Sequence, residues 1–240
     1  MPSAPSATPY GQVAPQLRVG DALSFGWAKY KQSWPAWVLF VLVFAVVSAL
    51  LFAPLAGDLV DWTRRLGDEM RDAGSTSFEV TDFRFSGGAI ALAVVASLLA
   101  LVARAMAWGA ALREADGARV SLGQFFTARR LGAAVLAGLV IIVGDGIAGW
   151  IPLGSIAWQV FTVFTLAFVI DHGRPVFGAI GDSFRLVGKN FGAVFVLLIA
   201  LVGINILGAI PVGLGLLVTL PLSVLALAYA FRRLTGGTIV

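Results

Sequence analysis

The chain has 240 residues, of which 59% are apolar and only 12% are charged, and its net charge is +4. Soluble domains hold about 25% charged residues, so this composition excludes a soluble globular protein and predicts one that faces lipid. The chain contains no cysteine, which excludes disulfide bonds, thiolate metal sites and cysteine nucleophiles.

The chain begins with a proline-rich segment, residues 1–18. Its first 17 residues contain four prolines and no charged side chain. Such a segment buries too little apolar surface to offset the entropy of ordering, which predicts a disordered tail. It lacks the positively charged start of a signal peptide, so we do not expect it to be cleaved.

Apolar segments follow. A helix that crosses a hydrocarbon core of about 30 Å needs roughly 20 consecutive apolar residues. Six segments meet or approach this length: 36–55, 88–112, 131–151, 154–170, 191–210 and 212–231. Short turns join the third to the fourth and the fifth to the sixth, whereas a polar loop, 57–87, separates the first two. The fold class predicted is therefore all-α: six spans in three hairpins form a membrane domain, 19–235, with a short tail, 236–240.

The distribution of lysine and arginine predicts the orientation. If the N-terminus is cytoplasmic, twelve of these residues lie in inner segments and four in the outer loop, Arg64, Arg65, Arg71 and Arg84. Both termini are therefore expected in the cytoplasm of a bacterial cell, with the spans in its plasma (inner) membrane. The basic residues are scattered along membrane edges, so nucleic-acid binding is not expected.

The segment before the first span recurs before the fifth. Placing Asp21 over Gly178 pairs Ala22 with Ala179, Trp27 with Phe184, Tyr30 with Val187 and Trp34 with Phe191. A weaker third copy places Leu122 and Phe126 over Leu23 and Trp27. The alternative is that any apolar run with a basic flank resembles another; we favour a true repeat for the first and third copies and leave the middle copy open.

The repeated segment has helical spacing. Leu23, Trp27, Tyr30 and Trp34 are four, three and four residues apart, which places them on one stripe of a helix. This predicts an in-plane amphipathic helix at the cytoplasmic interface before each hairpin, with a bend at Pro35 after the first. The expected partners are anionic lipids of the cytoplasmic leaflet. The candidate lipid contacts are Trp27, Lys29, Tyr30, Lys31, Trp34, Phe184, Arg185 and Lys189.

Residues around the third copy carry a family resemblance. They are Asp171 with Gly173, the pair Ala179 and Ile180, Ser183, Leu186 with Val187, and Asn190 with Phe191. With these residues the chain resembles, over about 19–235, bacterial six-span proteins of the YciC-like group and the membrane domain of some glycerophosphodiester phosphodiesterases. Its proline-rich tail resembles that of actinobacterial members. The resemblance implies a membrane domain without the phosphodiesterase's soluble catalytic domain, so that activity is not implied.

Ionisable residues inside spans are costly and often functional. Arg104 and Asp145 are the two present, and they predict a polar cavity between the second and third spans, with Gln159 and Asn205 as further candidates. The alternatives are that Arg104 snorkels to the headgroups and that Asp145 is hydrated near the outer turn. No cluster with metal-ligand spacing, phosphate loop or nucleophile–base pair is recognisable, so we expect no metal, no cofactor and no enzyme activity.

The outer loop has helical spacing of its own. Leu59, Trp62, Leu66 and Met70 predict that a helix extends from the first span, and FEVTDFRF has the composition of a short strand. Trp62, Leu66 and Met70 are a candidate surface for another membrane or envelope protein, although a helix lying on the outer leaflet fits equally well. These features favour a non-catalytic scaffold or accessory factor in envelope or lipid homeostasis. The alternative is a small transporter or lipid-handling carrier with a cavity near Arg104 and Asp145.

Overall fold

A computed structural model describes residues 17–72, 84–127 and 130–240. Within these ranges every regular element is an α-helix. The helices are α1 (Val19–Asp72), α2 (Gly87–Ala115), α3 (Leu122–Phe125), α4 (Leu131–Ala148), α5 (Gly154–Thr162), α6 (Thr165–Ile170), α7 (Val176–Lys189), α8 (Phe191–Ala209) and α9 (Leu216–Thr235). The expected disordered tail lies almost wholly outside the described residues, as does most of the segment expected to form a strand.

Among the residues that the structure describes, five helices are long and apolar enough to cross a membrane: α1, α2, α4, α8 and α9. They indicate a multi-pass membrane protein. The segment predicted as the fourth span, 154–170, is apolar but shorter, and it is divided into α5 and α6 at Val163 and Phe164. The sequence did not predict this break.

The break between α5 and α6 is stabilised by a side chain from α7. The hydroxyl of Ser183 donates to the carbonyl of Phe161 at 2.7 Å, and the backbone N–H of Phe164 donates to the same hydroxyl oxygen at 3.2 Å. Ser183 is fully buried. Because backbone groups without partners are costly away from water, these two bonds stabilise the interruption between α5 and α6.

Helix α1 contains two of the predicted segments. It departs from helical geometry at Ser33, with φ −126° and ψ 16°, rather than at Pro35, where the bend was predicted. The ring of a proline crowds the turn before it and removes one backbone donor, so the distortion falls on the N-terminal side. The helix then continues to Asp72, in agreement with the extension predicted from Leu59, Trp62 and Leu66.

The first and third copies of the repeated segment match in the structure at several aligned positions. Asn190, aligned with Ser33, has φ −127° and ψ 27°, and both residues join an amphipathic helix to an apolar one. Ala22 and Ala179 are both fully buried. A duplicated unit would produce this agreement. The middle copy differs, because its helix, α3, has only four residues.

The amphipathic helices pack on other helices of the bundle. The N-terminal part of α1 lies against α9, where a Cβ added to Gly26 would come within 3.0 Å of the carbonyl oxygen of Leu222. Helix α7 lies in the corresponding way against α5 and α6, with Ser183 at the position aligned with Gly26. One apolar face of each helix is therefore covered by protein, and not only by lipid as the sequence had suggested.

Candidate intramembrane cleft

A cleft of about 620 Å³ opens among α2, α4, α5 and α8. Its polar lining is Arg104 from α2, Asp145 from α4, and Gln159 and Thr162 from α5. Its apolar lining comes from Ile141, Ile142, Ile156, Val160, Val163, Leu198 and Val202. The structure thus brings together three of the four residues proposed from the sequence for an intramembrane polar site.

The α4–α5 hairpin fixes the carboxylate of Asp145. The Ser155 hydroxyl donates to Asp145 Oδ1 at 2.5 Å, and Gln159 Nε2 donates to the same oxygen at 3.2 Å. Both donors use Oδ1, and no donor to Oδ2 is found among the described residues. One carboxylate oxygen of Asp145 therefore remains available to a ligand.

Small residues allow the two arms of this hairpin to approach closely. A Cβ on Gly144 would lie 2.2 Å from the ring of Trp158, and Trp158 Nε1 donates to the carbonyl of Ile141 at 2.9 Å. The indole is therefore held against α4 by this hydrogen bond and by its close contact with Gly144. This contact sets the register of α5 against α4, which places Gln159 beside Asp145.

Arg104 reaches the cleft from a different helix. Its side chain is exposed, and in the part of the chain that the structure describes its guanidinium makes no hydrogen bond and no ion pair, with Asp145 or any other residue. Helix α2 is held against α4 nearby, where a Cβ on Gly138 would come within 2.8 Å of the Leu101 side chain. Two opposite charges therefore line the cleft on separately fixed elements without neutralising each other.

Asn205, the fourth residue proposed for the site, does not line the cleft. Its side-chain nitrogen donates to the carbonyl of Leu201 and to the hydroxyl of Ser223, each at 2.8 Å. It therefore joins α8 to α9. The sequence placed Asn205 in the apolar segment that became α8 but could not show which face it occupies; Leu198 and Val202 are the residues of α8 that reach the cleft.

A buried ion-pair cluster was not predicted from the sequence. Arg232 bonds both oxygens of Asp171, at 2.6 and 2.9 Å, and donates to Asp116 at 2.9 Å. These residues lie at or just beyond the ends of α9, α6 and α2, which therefore meet at one end of the bundle, called here the Arg232 end. The sequence held a partial signal for it, since Asp171 directly follows an apolar segment and Asp116 lies four residues after another.

A second missed residue lies at the same end. Glu114 is almost completely buried, and its Oε1 accepts a hydrogen bond from Trp37 Nε1 at 3.1 Å. Trp37 packs edge-on against Phe125 at a centroid distance of 4.9 Å. The bond joins α1 to α2 beside α3. The sequence did not reveal this bond, because Glu114 lies just beyond the second apolar segment and no local pattern pairs it with Trp37.

The candidate lipid contacts of the first copy fall into two environments. Trp27 and Trp34 are exposed by 47% and 54%, and Lys31 lies 5.9 Å from the Trp27 ring centroid. Lys29 is half-buried over the ring of Phe25. Tyr30 is only 5% exposed and belongs to the core, so its assignment to the lipid-facing stripe is corrected. Burial also raises the pKa of the Tyr30 phenol above its ordinary value.

In the third copy, the aromatic residue packs on the neighbouring helix. Phe184 stacks on Phe161 at a centroid distance of 5.1 Å while remaining partly exposed. Arg185 pairs with Asp182 at 3.3 Å, and Lys189 is exposed at the end of α7. On the extension of α1 the candidate partner surface is uneven, with Trp62 and Leu66 half-buried and Met70 57% exposed.

Comparison with known proteins finds distant relatives. The chain is 27% identical over 227 residues to Uncharacterized protein Rv2560 of Mycobacterium tuberculosis (strain ATCC 25618 / H37Rv), covering 92% of this chain and 70% of the relative. The same identity and coverage hold for Uncharacterized protein Mb2590 of Mycobacterium bovis (strain ATCC BAA-935 / AF2122/97). No solved structure matches the chain. No family model matches it either, so the resemblance to the YciC-like and phosphodiesterase membrane domains has no support from a family assignment.

Proposed function

We propose that this chain is a non-catalytic, lipid-handling membrane protein that binds one amphiphilic lipid in the cleft among α2, α4, α5 and α8. The observation that carries this proposal is the unpaired guanidinium of Arg104 inside a partly apolar cleft. This unpaired charge favours the carrier hypothesis. No contact among the described residues specifically supports the scaffold hypothesis.

The rim of the cleft supports access from the side. Ile142, Ile156 and Val202 line it and are exposed by 52%, 59% and 58%. In a bilayer these side chains face acyl chains. A lipid could therefore enter laterally, placing its tails along the rim and its headgroup on the polar floor. A volume of about 620 Å³ lies within the usual range for ligand sites.

The position of Arg104 argues against simple snorkelling. It lies eight residues before Leu112, where the predicted second span ends, which at 1.5 Å per residue is about 12 Å along the axis. A single side chain does not cover that distance. A charged residue at such depth costs about 2.5–3.5 kcal/mol on insertion scales. An anionic headgroup bound to the guanidinium would offset part of that cost.

The proposal includes the topology. We infer that α5 and α6 together cross the bilayer as the fourth of six spans, since Ser183 satisfies the backbone groups at their break. The bias of lysine and arginine favours the Arg232 end in the cytoplasm and a bacterial plasma membrane. The amphipathic part of α1, with Trp27, Lys31 and Trp34 exposed, would then meet anionic lipid at that interface.

Native mass spectrometry of protein extracted gently from its own membrane tests the binding. We expect about one lipid retained per chain, and loss of most of it in Arg104→Gln. The matched control is Arg119→Gln, which removes the same charge outside the cleft and should retain lipid like the wild type. Equal retention in Arg104→Gln and Arg119→Gln, or no retained lipid in the wild type, would contradict the proposal.

A further inference from the structure

The two unpaired charges in the cleft define the headgroup that it fits. We propose, on the basis of the function proposed above, that the ligand is a zwitterionic phospholipid whose headgroup carries a primary ammonium. Its phosphate binds Arg104, and its ammonium binds Asp145 and Gln159. The proposal goes beyond lipid binding because it specifies both the charge pattern and the kind of cation.

The charge pattern follows from the separate fixation of the two groups. Asp145 is held by Ser155 and Gln159 within the α4–α5 hairpin, whereas Arg104 belongs to α2. A purely anionic headgroup would neutralise Arg104 but bring negative charge towards Asp145. A purely cationic headgroup would neutralise Asp145 but bring positive charge towards Arg104. Because a charge in a partly apolar cleft is unfavourable without a partner of opposite sign, a ligand with both charges fits this cleft best.

The kind of cation follows from the acceptors present. Asp145 Oδ2 receives no donor among the described residues, and Gln159 uses its nitrogen towards Asp145 Oδ1, which leaves its carbonyl oxygen as a second acceptor. A primary ammonium has three N–H donors and can use both oxygens. A quaternary ammonium has none, and proteins usually bind it in a cage of aromatic rings.

The cleft provides no such cage. Its lining residues are aliphatic, polar or charged, and no aromatic ring is among those described. Trp158 is next to Gln159 in the sequence, but its indole packs on α4, where it contacts Gly144 and donates a hydrogen bond to the carbonyl of Ile141. Its indole is therefore committed to holding the hairpin together. The cleft chemistry thus favours a primary-ammonium headgroup over a choline headgroup.

A competition experiment tests the proposal on the full chain. The protein is reconstituted in nanodiscs with equal amounts of phosphatidylethanolamine, phosphatidylglycerol and phosphatidylcholine of matched acyl chains, and the lipids retained after extraction are identified by native mass spectrometry. We expect the ethanolamine lipid to be retained about tenfold over either competitor. Asp145→Asn removes the carboxylate that would bind the ammonium, so among the lipids this variant retains the preference for ethanolamine over glycerol headgroups should be lost.

Two further variants keep the result interpretable. Asp145→Glu preserves the carboxylate and should retain a preference of the same sign. Asp68→Asn, on the α1 extension, removes an acid elsewhere and should behave as the wild type. A wild type that retains lipid without preferring the ethanolamine headgroup would overturn this inference and leave the proposed function intact. A wild type that retains no lipid would overturn both.

The source of the headgroup is tested separately. Soluble glycerophosphoethanolamine, added at millimolar concentration, should not displace the retained lipid, because the acyl chains contribute contacts along Ile142, Ile156 and Val202. Displacement by this soluble headgroup would show that a water-soluble phosphoethanolamine suffices as ligand. That result would overturn the lipid assignment.

Discussion

Ser33 and Asn190 adopt nearly the same non-helical backbone conformation, with φ −126° and ψ 16° in one and φ −127° and ψ 27° in the other. Each residue ends an amphipathic helix and begins an apolar one. Each is also tied to its surroundings, since Ser33 is buried and the Asn190 side chain donates to the carbonyl of Leu186 at 2.9 Å. A duplicated unit would produce two joints of this kind.

The contacts of Ser183 predict a local loss of stability on substitution. Ser183→Ala leaves the N–H of Phe164 and the carbonyl of Phe161 without these partners at the α5–α6 break. Each unsatisfied buried group costs about 1–3 kcal/mol, so we expect a clearly lower thermal transition in detergent. Ser97→Ala is the control, because that hydroxyl only donates to the carbonyl of Ala93 within α2. Equal transitions for the two variants would show that Ser183 does not support the break.

The Arg232 cluster predicts a larger effect. Arg232→Gln removes the partner of Asp171 and Asp116 at a position where the arginine side chain is only 10% exposed. Removing one member of a buried ion pair typically costs 3–5 kcal/mol; because Asp116 is 45% exposed, we expect about 3 kcal/mol. Denaturation in detergent measures it. Arg233→Gln, one residue along α9, should change stability little, and Asp171→Asn added to Arg232→Gln should restore part of the loss.

These two sites also show what a sequence can and cannot provide. Helices follow from hydropathy and length, because a bilayer requires long apolar segments with satisfied backbones. The Arg232 cluster does not follow, since charges at the ends of apolar segments serve topology in most membrane proteins and nothing in the sequence pairs them. The break at Val163 depends on a hydroxyl from α7, a contact between distant segments that no local pattern encodes.

The cleft was partly predictable for a physical reason. Ionisable groups inside apolar segments are rare enough that Arg104 and Asp145 could be selected at once, and the structure places both in one cleft with Gln159. Asn205 was misplaced because a nearly uniform apolar helix carries no signal for which face is inward. The unpaired state of Arg104, on which the proposed function depends, required the structure.

The link between Asp58 and Ser86 predicts a dependence on pH. Asp58 follows the apolar part of α1, and its carboxylate accepts the backbone N–H of Ser86 at 2.8 Å. This backbone bond, with a second from the Ser86 side chain, lowers the pKa of Asp58 below its ordinary value of 3.8. A lowered pKa in the folded state means that the stabilisation is present above pH 3.8 and is lost as the pH falls through the lower folded value.

Amide exchange measures this effect. After correction for the intrinsic rate, protection of the Ser86 amide should decrease as the pH falls below 3.8. Asp58→Asn should show lower protection with no such decrease. Asp68 pairs with Arg71 at 3.5 Å farther along α1 and provides the control. Asp68→Asn should leave the protection of the Ser86 amide unchanged. An unchanged protection profile in Asp58→Asn would contradict the role of the carboxylate.

The extension of α1 distinguishes the scaffold hypothesis from the carrier hypothesis. Trp62→Gln combined with Leu66→Gln alters the candidate partner surface without touching the cleft. For a carrier we expect unchanged lipid retention, because the headgroup site is formed by α2, α4 and α5. A scaffold would be supported instead if this variant lost a stoichiometric co-purifying protein and Arg104→Gln left lipid retention unchanged.

The proposed orientation can be tested directly because the chain contains no cysteine. A single cysteine at Asp68 on the α1 extension, or at Gly237 after α9, reports its own side of the membrane. The positive-inside bias places Gly237 in the cytoplasm, beside the Arg232 end, and Asp68 outside. An impermeant maleimide should therefore label Asp68→Cys in intact cells and Gly237→Cys only after permeabilisation. The reverse pattern would invert the topology. Labelling of both positions from outside would require an even number of spans between them and would rule out the five proposed, so that the α5–α6 pair could not cross as the fourth span.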